Sequence, residues 1–500
     1  MECNLIDDLE RTARRLGQKT ALTENGENAC TYEALRQTAR RAGTALARAG
    51  VSGRTVLVAA ERSVQTVQAM FSVLYAGAAY VPLDISGPTA RLADICAALE
   101  QPPVICTRSQ LERCDALTRL CSRVLIWEEL TGQPEDALLL EELRKNTAPD
   151  QTMCVLFTSG STGVPKGVVK THRAMDRFET AFVEQFSLGE DDCWGNQSPF
   201  YFDASAKELY SAIRTGATLH ILPTGLFSQP LALMRRLDEL GIDTISWVPS
   251  ALCIITRMDT FSAYVPKGLK RVFFVGEVFP VEHFRQWQAA LPGTVFTNLY
   301  GPTETAGIAC WCTLPPAFAG DTLPIGGPLK GVTVELHAPD GGLVEQPEAQ
   351  GEIWLGGPTL AREYLNDPER TAAAFVEREG RRFYRTGDFA RRDGEGRLVF
   401  CSRADHQIKH MGHRIELGEI EARAGRCAGV DRCCCVYDAP RQRLVLFYQG
   451  SAPMKELYVE LRRELPRYMV PARLVPCDAL PCNANGKLDR TAMQRRAADM

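Results

Sequence analysis

The chain has 500 residues, of which 45% are hydrophobic and 24% are charged. This composition is close to the average for soluble globular proteins and excludes disordered, collagenous and fibrous classes. With 57 Lys and Arg against 61 Asp and Glu, the net charge is -4. The basic excess that binds a phosphate backbone is missing, so nucleic acid is not expected as a partner.

The N-terminus does not resemble a signal peptide. Its first eight residues, MECNLIDD, lack both a basic segment and an apolar core. No later stretch reaches ~18 uninterrupted apolar residues. We therefore expect a cytoplasmic protein without membrane insertion. The 18 cysteines form no C-x-x-C pair, which favours reduced, mostly buried thiols over a metal site.

Helical and β-like patterns alternate through the first half of the chain. A helix begins after Thr31, a plausible N-cap, and the first β-like runs follow at 55–59 and 79–83. Further β-like runs lie at 104–106, 124–126, 153–157, 218–222, 244–248 and 271–275. This alternation predicts an α/β fold.

The pattern changes near Pro324 and again after Arg403. Short β-like pieces with Gly turns, at 332–336, 351–355 and 397–400, indicate a small antiparallel or β-barrel-like portion. Helices are then expected near 416–426 and 455–465, and strands near 433–437 and 444–448. We predict a multi-domain α/β protein with an N-terminal core over 1–402 and a small, mobile α+β domain over 403–500. The short junction between them suits a hinge.

A loop dense in glycines and hydroxyls follows the β-like run at 153–157. It reads Thr158-Ser159-Gly160-Ser161-Thr162-Gly163-Val164-Pro165-Lys166-Gly167. Glycines let backbone N–H groups approach an anion, hydroxyls add donors, and Lys166 adds positive charge, so the loop is suited to a polyphosphate. The spacing differs from a Walker A loop, because Lys166 is followed by Gly167 and Val168.

This loop resembles the phosphate loop of the adenylate-forming superfamily, which includes acyl-CoA synthetases, luciferases and the adenylation domains of nonribosomal peptide synthetases. Other motifs of that family occur in the family's order: Ala76-Gly-Ala-Ala-Tyr-Val-Pro-Leu-Asp84, Asn298-Leu-Tyr-Gly-Pro-Thr-Glu304, Tyr384-Arg-Thr-Gly-Asp388, Arg403 with Asp405-His-Gln-Ile-Lys409, Gly412-His-Arg-Ile-Glu416-Leu-Gly-Glu419, and Asn485-Gly-Lys487-Leu-Asp-Arg490. The resemblance covers about residues 22 to 490.

The resemblance implies a site for ATP and Mg²⁺. Tyr300 offers an aromatic face to adenine, Glu304 matches the Mg²⁺ ligand, and Asp388 matches the carboxylate that accepts the ribose hydroxyls. The full set of expected ATP-binding residues is Thr158, Ser159, Gly160, Ser161, Thr162, Gly163, Lys166, Gly276, Glu277, Asn298, Leu299, Tyr300, Gly301, Pro302, Thr303, Asp388, Arg403 and Lys487.

Two further positions match the family's C-terminal domain. Lys487 resembles the catalytic lysine, which would bridge the substrate carboxylate and the α-phosphate. Asp405 matches the hinge, whose backbone rotates between two domain orientations. The chain departs from the family at Ser402, where glycine is usual, and at His410-Met411 before Gly412. These departures concern the carrier-side loop and leave the ATP site intact.

The segment Phe202-Asp203-Ala204-Ser205-Ala206-Lys207-Glu208 resembles the one that distinguishes amino-acid-activating members. Asp203 matches the residue that pairs with the substrate α-ammonium, although an aspartate here is also suited to cap a helix. The expected substrate-binding residues are Asp203, Ala204, Lys207, Ser246, Phe273, Val275, Leu299, Gly307, Ile308 and Lys487.

Lys207 indicates which kind of side chain the substrate carries. A lysine in an otherwise mostly apolar pocket predicts an acidic amino acid, glutamate ahead of aspartate. If Lys207 instead pairs with Asp203 or Glu208, then D-alanine and serine stay open.

No carrier attachment site follows Arg490, and no condensation signature is present. We therefore expect a standalone ligase of class EC 6.2.1 that loads the phosphopantetheine thiol of a separate carrier protein. In this it resembles D-alanine:D-alanyl carrier protein ligases as well as free adenylation domains. The rivals are an acyl- or aryl-CoA synthetase of the same fold and an inactive nucleotide-binding or regulatory protein.

Overall fold

A computed structural model of the chain describes residues 4–160, 164–403, 407–481 and 488–500. Its strands are β1 (Thr20–Glu24), β2 (Glu27–Thr31), β3 (Thr55–Ala59), β4 (Ala79–Leu83), β5 (Pro103–Cys106), β6 (Arg123–Ile126), β7 (Thr152–Thr158), β8 (Lys166–Thr171), β9 (Cys193–Asn196), β10 (Thr218–Ile221), β11 (Thr244–Trp247), β12 (Arg271–Val275), β13 (Val295–Tyr300), β14 (Cys310–Thr313), β15 (Gly327–Pro328), β16 (Thr333–His337), β17 (Gly351–Gly356), β18 (Glu363–Tyr364), β19 (Phe375–Arg378), β20 (Arg381–Arg392), β21 (Leu398–Arg403), β22 (Gln407–His410), β23 (His413–Glu416), β24 (Val430–Asp438), β25 (Arg443–Gly450) and β26 (Arg473–Pro476).

The helices are α1 (Leu5–Leu16), α2 (Tyr32–Arg48), α3 (Val64–Tyr75), α4 (Thr89–Ala98), α5 (Arg108–Arg113), α6 (Leu117–Leu120), α7 (Trp127–Thr131), α8 (Ala137–Asn146), α9 (His172–Gln185), α10 (Ala204–Thr215), α11 (Pro230–Glu239), α12 (Pro249–Arg257), α13 (Thr260–Ala263), α14 (Val281–Ala290), α15 (Pro368–Ala374), α16 (Leu417–Ala424), α17 (Met454–Glu464) and α18 (Arg490–Ala498). Among the helices that the structure describes, none is both long and apolar enough to cross a membrane.

Two sheets contain mostly parallel strands. Their strand orders are β18-β8-β7-β4-β3-β5-β6 and β15-β14-β13-β12-β11-β9-β10-β1-β2. In the second sheet the strands from β13 to β1 are parallel, and antiparallel neighbours lie only at its edges. Parallel strands need crossover connections, which the intervening helices supply. The predicted α/β class is confirmed.

Helix α2 illustrates how local sequence produces these elements. The Thr31 side chain accepts a hydrogen bond from the backbone N–H of Ala34 and so caps the helix, as predicted. The apolar residues of α2 recur at helical spacing, and those that are fully buried are Leu35, Ala39, Ala42 and Leu46. Capping and periodicity therefore specify the same helix.

An antiparallel sheet follows the two parallel ones in the chain. Its strand order is β16-β17-β20-β19, and β21 pairs with β20. The predicted antiparallel portion after Pro324 is thus present. The register of β20 and β21 places Asp388 opposite Arg403, two residues that the family resemblance assigns to one nucleotide.

The chain divides into two compact units. The larger comprises Met1–Asp84, Pro102–Leu156 and Gly167–Ala404, and the smaller comprises Ile85–Gln101, Phe157–Lys166 and Asp405–Met500. The smaller unit contains the sheet β24-β25-β26 and the hairpin β22-β23. The predicted boundary between 402 and 403 stays a prediction, and the two short N-terminal segments of the smaller unit were not foreseen.

The departures from the family at His410 and Met411 lie at the turn between β22 and β23. His410 pairs with His413 across the hairpin. Met411 adopts a φ of +53° and is exposed, a backbone conformation that side chains other than glycine adopt rarely. Most of the cysteines that the structure describes are buried.

Candidate active site

Asp388 is the centre of a buried group of polar side chains in the larger unit. The Tyr300 hydroxyl donates to its Oδ2 at 2.6 Å, and the Arg403 guanidinium pairs with its Oδ1. Thr386 Oγ1 accepts from the backbone N–H of Asp388 at 3.0 Å and donates to the Ile353 carbonyl at 2.8 Å. We call Asp388, Tyr300, Arg403 and Thr386 the Asp388 cluster. Each carboxylate oxygen has a second lone pair, so the cluster can still accept from a ligand.

The loop after β13 folds back on itself beside this cluster. The backbone N–H of Ala309 donates to the Tyr300 carbonyl at 2.7 Å. A Cβ on Gly301 would lie 2.7 Å from the Gly307 carbonyl and from the Ile308 Cα, so only glycine permits this approach. The close approach explains a glycine directly after Tyr300. Asn298, Pro302 and Thr303, also expected at the nucleotide, lie on the same strand and loop.

Glu304 is fully buried on this loop. Its Oε1 accepts from the Tyr364 hydroxyl at 2.6 Å. Among the described residues, no group of three or more His, Cys, Asp or Glu side chains could hold a metal ion. A single buried carboxylate nevertheless fits Mg²⁺, because this ion is commonly held by one or two carboxylates together with substrate phosphates and water.

Gly276 and Glu277 follow β12 directly. Gly276 has a φ of +99°, a conformation that favours glycine. Glu277 Oε2 accepts from the backbone N–H of Ser250 at 2.8 Å, in the first turn of α12. A carboxylate at a helix N-terminus accepts from an otherwise unbonded N–H and interacts favourably with the positive end of the helix dipole. The position of Glu277 is thus fixed by α12.

The glycine-rich loop belongs to the smaller unit. The Ser159 hydroxyl donates to the Arg414 carbonyl at 2.5 Å. Burial raises the pKa of the Glu419 carboxyl to about 7, although Arg91 and the N–H of Gly160 favour its charged form. Lys166 begins β8, and Thr158 ends β7.

Several predicted residues lie outside the described ones. These are Ser161, Thr162 and Gly163 of the loop, the predicted hinge Asp405, and the predicted catalytic Lys487. Their assigned roles stay predictions.

Asp203 precedes α10, but its side chain makes no capping hydrogen bond to the helix. Its Oδ1 instead pairs with the ammonium of Lys170 on β8. The Lys170 side chain is 1% exposed and that of Asp203 is 12% exposed. Burial raises the pKa of the Asp203 carboxyl, and Lys170 opposes that shift. The capping role is therefore not the one that the structure shows for Asp203.

Lys207 is fully buried on α10. Its Nζ donates to the Ala204 carbonyl at 2.6 Å. Among the described residues, no carboxylate forms an ion pair with it, so the alternative pairing with Asp203 or Glu208 is not present. Burial lowers the pKa of the Lys207 ammonium, while Glu208 and then Asp203 favour its charged form.

Two buried carboxyls accompany Lys207. Glu179 Oε2 accepts from Ser211 Oγ at 2.8 Å, and Glu208 Oε2 accepts from the Asn196 amide. Within the described part of the chain, Oε1 of each has no partner. Burial raises the pKa of Glu179 to about 8 and also raises that of Glu208. We call Lys207, Glu179 and Glu208 the Lys207 cluster.

The other expected pocket residues lie on neighbouring strands. Ser246 pairs with Phe273 in the register of β11 and β12, and Val275 pairs with Leu299 in that of β12 and β13. Residues paired across parallel strands project from the same face of the sheet. All four are buried, and Ser246 Oγ has no partner among the described residues. We call these four residues the strand face.

Gly307 and Ile308 are also buried or closely packed. Gly307 has a φ of +153°, and the ring of Phe178 occupies the space that a Cβ would need. Ile308 is 1% exposed. Position 307 therefore accepts only glycine, because the Phe178 ring on α9 leaves no space for a larger residue.

A cavity lies beside the first turns of α10. It is lined by Lys170 and Asp203 together with Tyr80, Cys154 and Tyr210, among others. Residues 205, 206, 209 and 210 of α10 contribute to this lining.

The structure places four side chains at the site that the sequence analysis did not identify: Phe178, Glu179, Lys170 and Tyr364. Only Lys170 had a recognisable signal. A lysine that directly follows Val168-Val169 stands in an apolar run that forms a buried strand. A cation there requires a buried partner. Phe178 and Tyr364 are ordinary core residues in sequence, and nothing in the sequence around Glu179 indicates that its carboxyl is buried.

The comparisons with known proteins agree with the motifs. The family model described as AMP-binding enzyme matches residues 9–365. The chain is 36% identical to phosphinothricin tripeptide synthetase PhsC of Streptomyces viridochromogenes, over 97% of this chain and 44% of PhsC. It is 31% identical to the L-proline--[L-prolyl-carrier protein] ligase of Pseudomonas fluorescens, over 98% of this chain and 99% of that protein.

A solved structure is similar over nearly the whole chain. Holo-PA1221, described as an NRPS protein containing adenylation and PCP domains, superposes with a TM-score of 0.85 at 27% identity, covering 99% of this chain and 84% of that one. The chain spans between about a fifth and less than half of the first curated relatives that it matches.

The chain therefore belongs to the AMP-binding enzyme family, the adenylate-forming enzymes whose motifs it carries. The predicted family and the α/β fold are confirmed.

Proposed function

We propose that this protein activates an amino acid with ATP and transfers it to the phosphopantetheine thiol of a separate carrier protein. In the first step a carboxylate oxygen of the amino acid attacks the α-phosphate, and pyrophosphate leaves. In the second step the thiol attacks the carbonyl carbon of the aminoacyl adenylate, and AMP leaves. The motif match, the family model and the carrier protein ligase of Pseudomonas fluorescens support this assignment.

The Asp388 cluster is the proposed nucleotide site. Asp388 would accept from the ribose hydroxyls with the lone pairs that Tyr300 and Arg403 leave open. Glu304 would hold Mg²⁺, which supplies charge neutralisation to the phosphates. Because Asp388 is already held by two partners, it loses little conformational freedom when ATP binds.

The observation that carries the substrate assignment is the environment of Lys207. Its ammonium is fully buried and, among the described residues, has one acceptor, the Ala204 carbonyl, although an ammonium has three donors. A buried cation is costly unless it is paired. A substrate carboxylate would supply the partner, so we propose an acidic amino acid, glutamate ahead of aspartate.

The Glu179 carboxyl of the Lys207 cluster is compatible with this substrate. Burial raises the pKa of Glu179 to about 8, so its carboxyl is mainly protonated at pH 7. A protonated carboxyl can donate a hydrogen bond to a substrate carboxylate rather than repel it. At the opposite end of the substrate, Asp203 would accept from the α-ammonium.

A pyrophosphate-exchange panel over L- and D-amino acids tests the substrate. We expect glutamate or aspartate to lead. Lys207→Met should lower kcat/KM for that substrate tenfold or more, because a buried carboxylate without a partner costs at least about 1.4 kcal/mol. Lys330→Met, at a side chain that is 74% exposed, is the matched control and should leave the exchange unchanged.

Other results of this panel would contradict the proposal in distinct ways. A preference for D-alanine or serine that Lys207→Met does not alter would show that Lys207 does not contact the substrate. Exchange with a fatty or aromatic acid would favour the acyl- or aryl-CoA synthetase. The absence of exchange with every amino acid would favour an inactive nucleotide-binding protein.

Lys487 tests the chemical step. Lys487→Ala should lower adenylation by roughly 10² to 10³, the effect of losing one preorganised donor to the transition state. ATP binding, measured by calorimetry, should persist. A fall of less than tenfold in adenylation together with a collapse of thioester transfer would contradict the assigned role.

A further inference from the structure

We propose that Lys170 is a positioning residue for amino acid recognition: it holds one carboxylate oxygen of Asp203 and leaves the other to accept from the substrate ammonium. The inference rests on the proposed function in one respect, the pairing of Asp203 with that ammonium. It does not depend on which amino acid is activated. Neither Lys170 nor its pairing with Asp203 was part of the motif-based site.

The geometry assigns the two carboxylate oxygens different surroundings. Oδ1 of Asp203 pairs with Lys170. No other described side chain or backbone group bonds to this carboxylate, so Oδ2 is available. The Asp203 side chain retains 12% exposure while that of Lys170 retains 1%, so the carboxylate and not the ammonium is the member of the pair that a ligand can reach.

Lys170 is held in place by its strand. It lies near the end of β8, whose residues Val168 and Val169 are fully buried and pair with the edge strand β18. A lysine has a long flexible stem, but the side chain of Lys170 is 1% exposed and therefore has little room to move. The Lys170 ammonium is therefore held in one place, and its ion pair with Oδ1 orients the Asp203 carboxylate.

Lys170 also supplies the countercharge that Asp203 needs. An ionised carboxylate buried without a partner is costly and tends to take up a proton. Other charged or titratable groups near Asp203 are Lys207 on α10, Glu304 on the loop after β13, Cys154 on β7, and Tyr80 and Tyr210, which line the same cavity. Only Lys170 is in direct contact. A protonated Asp203 could not form an ion pair with a substrate ammonium.

The experiment measures Kd by calorimetry for an amino acid and for the acid that lacks its amino group. L-Glutamate and glutarate are the expected pair; if another amino acid leads the exchange panel, that amino acid and its deamino analogue are used. Lys170→Met should weaken binding of the amino acid tenfold or more and leave binding of the deamino acid within threefold. Discrimination between the two ligands should therefore fall about tenfold.

A double-mutant cycle separates positioning from general damage to the fold. Asp203→Asn should abolish discrimination by itself, and adding Lys170→Met to it should cause less than a threefold further change. The double variant removes both charges of the Lys170–Asp203 pair, so it should fold even if Lys170→Met alone does not. Lys145→Met, at an exposed side chain, is the matched control and should behave as the unaltered protein.

The outcomes distinguish this inference from the proposed function. If Asp203→Asn leaves discrimination intact, the ammonium role of Asp203 is wrong, and the inference fails with it. Suppose that Asp203→Asn abolishes discrimination. If Lys170→Met then weakens binding of both ligands equally, or strengthens binding of the amino acid, only the inference is overturned. A neutral amino acid at the head of the panel would contradict the acidic substrate and leave this test unchanged.

Discussion

The Asp388 cluster and the Lys207 cluster differ in how completely their buried polar atoms are bonded. Both oxygens of Asp388 have partners from the protein. In the Lys207 cluster one oxygen each of Glu179 and Glu208 has no partner among the described residues. Buried polar atoms are normally hydrogen-bonded, and exceptions require an explanation.

This difference suggests that the two clusters have different roles. The protein itself completes the Asp388 cluster, which would bind the part of the substrate pair that is common to the whole family. In the proposed function, a ligand would complete the Lys207 cluster, and a ligand of one chemical type would complete it best. On that proposal the Asp388 cluster is preorganised for the nucleotide, and the Lys207 cluster selects the amino acid.

The largest expected effect comes from breaking the Asp388 cluster. Asp388→Ala leaves the Arg403 guanidinium buried without its carboxylate, so the free energy of unfolding should fall by about 3 to 5 kcal/mol. Urea denaturation measures it. Glu395→Ala, which removes an exposed partner of Arg397, is the control and should cost less than about 1 kcal/mol. Equal losses in the two variants would contradict the central role of this cluster.

The pH dependence of stability tests the Lys207 cluster. The pKa of Glu179 rises from its ordinary value of 4.5 to about 8 on folding, so the folded state binds more protons between these values. The stability that Glu179 contributes is therefore complete below pH 4.5 and is lost as the pH rises toward 8.

Glu179→Gln should flatten this dependence. In the unaltered protein the contribution of Glu179 should have a slope of up to about 1.4 kcal/mol per pH unit, measured by urea denaturation between pH 5 and 8. Glu184→Gln on the same helix, at a side chain that is 54% exposed, should leave the slope unchanged. An identical slope in all three proteins would show that Glu179 is ionised in the fold.

The smallest effect is expected for single hydroxyl groups. Ser246→Ala removes a buried hydroxyl without a described partner, so the unfolding free energy should be unchanged or higher. Thr386→Val removes a hydroxyl that is bonded in the Asp388 cluster and should cost about 1 kcal/mol or more. Reversal of this order would contradict the contrast between the two clusters.

Much of the fold was predictable because its signals are local. The strand predicted at 271–275 coincides with β12, and the helix after Thr31 begins as its cap predicts. Among the elements that were not predicted are α1 and β26. Helix α1 carries local signals, because Asn4 and Asp7 form a capping box and Leu5, Leu9 and Ala13 recur at helical spacing. Strand β26 has four residues, and so short a segment gives periodicity little to act on.

The site was predictable to the extent that each motif carries its own chemistry. Tyr300, Asp388 and Arg403 lie in separate motifs, and the structure brings them into one hydrogen-bonded group. The partner of Asp203 was not predictable in the same way. Lys170 comes from a strand 33 residues earlier and belongs to no motif that was used.

The sequence by itself determined the family, the α/β class and the identity of the chemical groups, because glycine spacing, capping residues and apolar periodicity are properties of short segments. Only the tertiary structure decided which groups neutralise one another. Whether Asp203 caps a helix or pairs with Lys170, and whether Lys207 has a carboxylate partner, depends on burial and on distances between remote strands and helices. A buried charge takes the partner that the packing places within reach, and the order of residues along the chain does not state that distance.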